Sequence, residues 1–161
     1  MNSRTTVNRI SDREIAISRT FDAPARLVFE AWTKAELFQR WWVPKSLGMS
    51  LLSCEMDVRV GGKYRLVFAH GDSPPMAFFG TYVEVELHAR LVWTNEEGGE
   101  AGASITTVTF EERGGKTLVV LSEKHPSKEA LDANSGAEEG TSESFDQLEE
   151  FLATLGTSAG S

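Results

Sequence analysis

The stretch Glu143-Ser-Phe-Asp-Gln-Leu-Glu-Glu-Phe-Leu-Ala-Thr-Leu155, ESFDQLEEFLATL, decides the fold. Phe145, Leu148, Phe151, Leu152 and Leu155 recur at spacings of three and four, which places them on one side of an α-helix. Glu143, Asp146, Gln147, Glu149 and Glu150 are expected to cover the other side. Ser135-Gly-Ala-Glu138 has the form of a capping box that opens this helix, and Glu138 and Glu139 lie where the helix dipole favours anions. Residues 49–122, by contrast, read with the period of strands. A long amphipathic helix that follows a run of strands buries its stripe against a sheet, and a sheet bends most easily around a helix laid across its concave face. The expected class is α+β. A hollow left between the layers would be an apolar pocket.

The strands are legible one by one. Residues 51–60 form one run, and Gly61-Gly62 predicts a tight turn into 63–69. His70-Gly-Asp-Ser-Pro-Pro75 is a loop by composition. Residues 77–86 alternate, with Thr81, Val83 and Val85 opposed to Glu84 and Glu86. Residues 90–94 follow, and a polar, glycine-rich loop covers 95–102. Residues 104–112 and 116–122 are joined by Arg113-Gly114-Gly115, a hairpin signal. Short connections favour an antiparallel meander. A short helix over 128–133, capped by Ser127, precedes the long one.

Toward the N-terminus, Ile15, Ile17 and Phe21 recur at even spacing in a strand over 14–21. Pro24 suits the first position of a helix whose stripe is Leu27, Val28, Ala31 and Trp32. Thr33-Lys-Ala-Glu36 predicts a capping box for a second short helix carrying Leu37, Phe38, Trp41 and Trp42, ended by Pro44. Residues 1–13 are expected to be loosely ordered, 14–155 to form one domain, and 156–161 to be a disordered tail.

Composition excludes several classes of function. A formal net charge of −8 with no basic run argues against nucleic acid and anionic membrane surfaces as partners. No apolar run approaches a membrane span, and the N-terminus lacks a signal-peptide core. The single cysteine, Cys54, excludes an internal disulfide and suits a reducing, cytoplasmic location. Cys54 reads as a buried, inert thiol. No Cys/His pair stands at metal-ligand spacing, and no nucleophile elbow or phosphate loop is present. No metal, cofactor or catalytic residue is therefore assigned. Both a monomer and a homodimer are compatible with the sequence.

The segments RTFDAPARLVFEAWT, LFQRWWVPK, MDVRVGGKYR, FFGTYVEVELHARLVWT and VTFEERGGKTLVVL resemble, in that order, the START-like (SRPBCC) family of homologues of the activator of the heat-shock protein 90 ATPase. The resemblance spans roughly residues 15–155. It implies a helix-grip fold, an antiparallel sheet wrapped around a C-terminal helix. It also implies a cavity for a small apolar or amphipathic molecule, since members of the wider superfamily bind lipids, hormones or polyketides. Two alternatives arise from the same resemblance: a chaperone-activating interaction domain, and a polyketide cyclase or dehydratase in which Tyr64, Arg59 or His125 positions an enolate. The chaperone reading ranks low, because the namesake also uses a separate N-terminal domain. The family usually places Gly-Trp near the start of the last helix; here Thr141 follows Gly140, which leaves room beside the helix.

The expected cavity wall comprises Trp42, Phe68, Phe79, Trp93, Phe145 and Leu148, with Tyr64, Tyr82 and His125 as polar handles. Alternation puts Tyr64, Leu66 and Phe68 on one face and Arg65 on the other. His70 and His88 read as solvated loop residues, whereas His125 ends the last strand near a pocket mouth. Trp41 and Trp42 are about 100° apart on a helix and cannot face the same way: either both are structural, or one plugs the core and the other lies at the pocket mouth.

Overall fold

The computed structural model describes residues 5–43, 48–72, 74–96, 104–133 and 137–159. Strict alternation in β2 (Glu14–Phe21) buries Ile15, Ile17, Arg19 and Phe21 on one face. Ahead of it, β1 (Thr6–Arg9) pairs antiparallel with β2, so ordered structure begins before residue 14. Every residue of β1 is exposed; an edge strand held by backbone bonds alone carries no apolar alternation to read. Then come α1 (Ala25–Thr33) and α2 (Ala35–Phe38), followed by β3 (Met49–Met56), β4 (Lys63–His70), β5 (Met76–Glu86), β6 (Arg90–Asn95), β7 (Ser104–Arg113) and β8 (Lys116–Lys124). Two helices end the chain, α3 (Lys128–Ala133) and α4 (Ala137–Ala159).

All eight strands form one antiparallel sheet in the order β1-β2-β8-β7-β6-β5-β4-β3. This is the expected α+β arrangement, a curved sheet with a C-terminal helix, consistent with a helix grip. The hairpin between β7 and β8 turns on Gly114 and Gly115, both with positive φ (59° and 82°), a conformation glycine adopts without a Cβ penalty. Two bulges, between Leu51 and Ser53 and between Tyr82 and Glu84, interrupt β3 and β5. The second overturns the predicted pairing of Thr81, Val83 and Val85 on one face. The extra residue Val83 points outward and is 52% exposed, while Tyr82 before it is buried. A bulge inverts the parity of every residue after it and bends the strand.

Several predicted boundaries move. Helix α1 starts at Ala25 with Pro24 at its N-cap, and the Ala25 amide donates to Glu112 Oε1 of β7 (2.8 Å). The Thr33 capping box does not form. The Thr33 hydroxyl instead donates back to the Phe29 carbonyl (2.9 Å), and Lys34 is the α2 N-cap without a side-chain bond. The residue read as a cap closes the preceding helix. Strand β3 stops at Met56, and 57–62 form a loop rather than a continued run into Gly61-Gly62. Helix α4 continues to Ala159, past the boundary placed at 155. Pro44 and the Ser135 cap lie outside the described residues.

Helix α4 packs on β2 and α1. Phe145 and Leu148 are fully buried, and Phe145 meets Phe21 edge-on at 5.6 Å. One ion cluster fixes this docking. Arg19 extends from the buried face of β2 to Asp146 Oδ1 (2.5 Å) and Glu149 Oε1 (3.1 Å) on α4, with its side chain 5% exposed. The two acids reach water and are only half-desolvated, whereas the guanidinium is almost wholly withdrawn from it.

Neutralising the acids should therefore cost more than removing the arginine. The double variant Asp146→Asn/Glu149→Gln leaves a buried cation without a counter-charge, and should lose about 2–3 kcal/mol in urea unfolding. That is below the roughly 3–5 kcal/mol of fully buried pairs because water can reach the site. Arg19→Met should lose under about 1.5 kcal/mol. The reverse ordering would mean that Arg19 is held by packing rather than by charge.

Candidate functional site

Two short helices and the far half of the sheet border a half-open cavity of about 230 Å³. Its floor is the buried face of the strands. Tyr64 and Leu66 come from β4, Phe78 and Tyr82 from β5, and Trp93 and Asn95 from β6. Ser104 starts β7, while Glu123 and His125 extend the inward row Thr117, Val119, Leu121 of β8. Its roof is Trp32 of α1, Phe38 of α2 and Trp42, with Met56 at the end of β3. Seven of these side chains are aromatic. Trp32 is their hub, with ring centroids of Trp42, Trp93 and Phe38 at 5.8, 6.1 and 6.2 Å. Edge-to-face packing at such distances is the favoured arrangement of aromatic quadrupoles.

The paired tryptophans point in different directions. Trp41 is fully buried and its Nε1 donates to the Ala31 carbonyl (2.9 Å). Trp42 is half-buried, stacks on Phe38 at 4.8 Å and 26°, and faces the cavity. The carbonyls beyond α2 find donors on α4. Ser144 Oγ donates to Trp42 O (2.6 Å), and Gln147 Nε2 lies 2.8 Å from both Trp41 O and Val43 O. Gln147, expected outside, is thus buried at 8% exposure, because the carbonyls of the turn after α2 need a donor.

A polar cluster closes one end. Asn95 Oδ1 lies 2.8 Å from the Tyr64 hydroxyl and accepts from Trp93 Nε1 (3.3 Å). Asn95 Nδ2 donates to Ser104 Oγ (3.0 Å) and Thr106 Oγ1 (2.8 Å). The amide is saturated and its orientation fixed. Beside it His125, its side chain 9% exposed, sets Nε2 at 3.5 Å from Glu123 Oε1. That nitrogen is buried without a hydrogen-bond partner among the described residues, as is Trp32 Nε1. Burial pushes the Tyr82 hydroxyl far above the usual tyrosine range, with smaller contributions from Cys54 and Asp57, so it remains a neutral donor. Among the described residues no group of three His, Cys, Asp or Glu could hold a metal ion. No helix among them is long and apolar enough to cross a membrane.

Of the residues expected on the wall, the fold brings together Trp42, Tyr64, Tyr82, Trp93 and His125. Phe79 is elsewhere: it is 41% exposed on the outer face, opposite Arg65, while its neighbour Phe78 faces in. Strand parity excludes Phe79 once Tyr82 is placed inward. Phe68 is buried against Phe78 (5.1 Å), behind the wall. Phe145 and Leu148 are packed solid between α4, β2 and α1, so the hollow lies under the short helices rather than under α4. Thr141 is half-buried and does not border it. Composition places Asn95, Ser104 and Glu123 in a loop or at a solvated strand end. Their inward parity, continued from Leu91, Thr106 and Leu121, is the signal that finds them.

A model of one protein family matches residues 22–153, from the first helix to the last. The chain belongs to the family of Activator of Hsp90 ATPase homolog 1-like proteins. Among curated proteins none matches it. Among solved structures, this family member resembles a protein of Rhodobacter sphaeroides with a TM-score of 0.85 at 20% identity, over 94% of this chain and 99% of that one. A protein of Rhizobium leguminosarum aligns at 27% identity and TM-score 0.71, over 96% and 99% of the two chains. CalU16 of Micromonospora echinospora aligns at 23% identity and TM-score 0.63, over 94% and 85%. At such identities the fold is what these relatives share with the Hsp90-activator-like chain.

Two outcomes check the site's architecture. Asn95→Ala removes an acceptor from Trp93 and a donor from two hydroxyls in a part-buried cluster, and should cost about 1–3 kcal/mol in urea unfolding. Cys54 has its thiol 3.8 Å from the Ala35 carbonyl, and burial raises its pKa. Iodoacetamide should modify it more slowly in the folded protein than in urea at the same pH, because less thiolate is present and access is restricted. Equal rates would place Cys54 in open solvent.

Proposed function

We propose that this protein is a binding module for a small apolar or amphipathic molecule carried in the cavity between the short helices and the sheet. One observation carries the reading: a hollow of about 230 Å³ walled by seven aromatic rings and finished at one end by polar groups. Well-packed interiors leave few voids larger than a water molecule, and an apolar cavity of about 150 Å³ is enough to admit benzene. A few fixed polar groups on an otherwise aromatic wall are what orients a ligand. The fold of the family, shared with the Rhodobacter and Rhizobium proteins, supports a ligand-binding scaffold. The lone free thiol, Cys54, accords with a cytoplasmic setting.

The test is titration with single-ring arenes carrying a short polar arm, followed by calorimetry and by changes in tryptophan emission. Binding to the native protein is expected, with a change in the fluorescence of Trp42 or Trp93. Trp42→Ala should weaken it about tenfold by removing a roof ring, with little effect on the fold because Trp42 is only half-buried. Binding that is absent, or indifferent to Trp42→Ala, would remove this cavity as the site.

A further inference from the structure

We infer that the ligand of this cavity carries an ammonium group, held between Glu123 and His125, on an aromatic or aliphatic body; the inference rests on the binding reading above and specifies its chemistry. Three observations converge on it. First, among the described residues the wall contains one carboxylate, Glu123, and no lysine or arginine. An anionic ligand would find no lysine or arginine there and would face the Glu123 carboxylate, which repels it.

Second, His125 Nε2 is a buried nitrogen without a hydrogen-bond partner among the described residues, set 3.5 Å from Glu123 Oε1 on the same wall. In the tautomer with the ring proton on Nδ1, the two facing atoms are both acceptors. An ammonium supplies several protons and can donate to the carboxylate and to the imidazole lone pair together, satisfying both. A hydroxyl has one proton and satisfies one. Asn95 serves less well, because its amide already meets Trp93, Ser104 and Thr106 and carries no charge.

Third, the remaining wall is built of ring faces and edges around Trp32, Trp42 and Trp93. The negative face of an aromatic ring attracts a cation, and tryptophan does so most strongly. The desolvation that would expel an isolated ammonium from such a site is offset by the carboxylate and the imidazole, and the ring faces favour a cation over an anion. The same wall accepts the apolar body.

A near-isosteric set separates this chemistry from the binding reading itself: phenethylamine, 2-phenylethanol and phenylacetate. Each is titrated calorimetrically into wild-type protein, Glu123→Gln and Trp42→Ala, at high salt so that the net charge of −8 does not itself favour cations. The expected result is a preference of about tenfold or more for the amine over the alcohol, with phenylacetate weakest. Glu123→Gln should reduce that preference to within about threefold and leave alcohol binding unchanged. Equal or tighter binding of the alcohol or the acid would overturn the inference while leaving the cavity as a binding site. An amine preference that survives Glu123→Gln would overturn the role of Glu123. If none of the three binds, the binding reading falls, and the inference with it.

Discussion

The carbonyls of the turn that follows α2 hold the roof of the hollow in place. Trp41 O, Trp42 O and Val43 O lie past the end of α2 at Phe38, and a buried carbonyl without a partner costs as much as a lost hydrogen bond. Ser144 and Gln147 of α4 meet all three, while Trp41 Nε1 reaches back to Ala31. The segment is thus bolted between two helices before Trp42 makes any contact of its own. With the backbone fixed, Trp41 must enter the core and Trp42 must hang over the sheet. Arg19 adds the other end of the clamp by tying α4 to β2. Helix α4 therefore acts on the cavity at a distance, as the part that sets the roof, without bordering it.

This division explains what could be read in advance. The stripe Phe145, Leu148, Leu152 and the strand alternation define the layers and their order, because both reflect a local period and a single buried face. Alternation puts Tyr64 and Leu66 on one face of β4 but does not say which face is concave; packing places that face against the short helices. What fails is whatever depends on a neighbour remote in sequence. Gln147 is polar at a position where outward is the default, and only the carbonyls of the turn after α2 draw it inside. Thr33 matches a capping box, but a hydroxyl that can reach the preceding turn does so first. The bulge after Tyr82 has no local sequence mark, yet it reverses the face of every later residue in β5.

The polar wall is hidden by a different bias. Asn95, Ser104 and Glu123 lie at strand ends, where polar residues are ordinarily solvated, so composition argues for loops. Parity argues otherwise, since each continues a row whose earlier members are buried. Where period and composition disagree at a strand end, the disagreement itself marks a place where polar groups face inward. Inward polar groups need partners, and Asn95 finds four while His125 Nε2 finds none among the described residues.

The hollow persists because its floor cannot close. Gly80 sits across from Tyr64 in the β4–β5 register, and a Cβ there would fall 1.7 Å from the Thr94 carbonyl and 2.9 Å from the Tyr64 ring. Tyr64 can lie flat at this point only because position 80 has no side chain, and its hydroxyl is then carried to Thr94 O (2.9 Å) and Asn95. Locked at both ends, the ring cannot swing up to fill the space beneath Trp32 and Trp42. Those roof rings are held in turn by one another and by α4, so they cannot descend. Two rigid surfaces, each held by its own bonds, face each other across a gap that neither can fill. The shape of these walls is a property of the fold's hydrogen bonding, and the end where His125 Nε2 stands 3.5 Å from Glu123 Oε1 is the point on them where charge gathers.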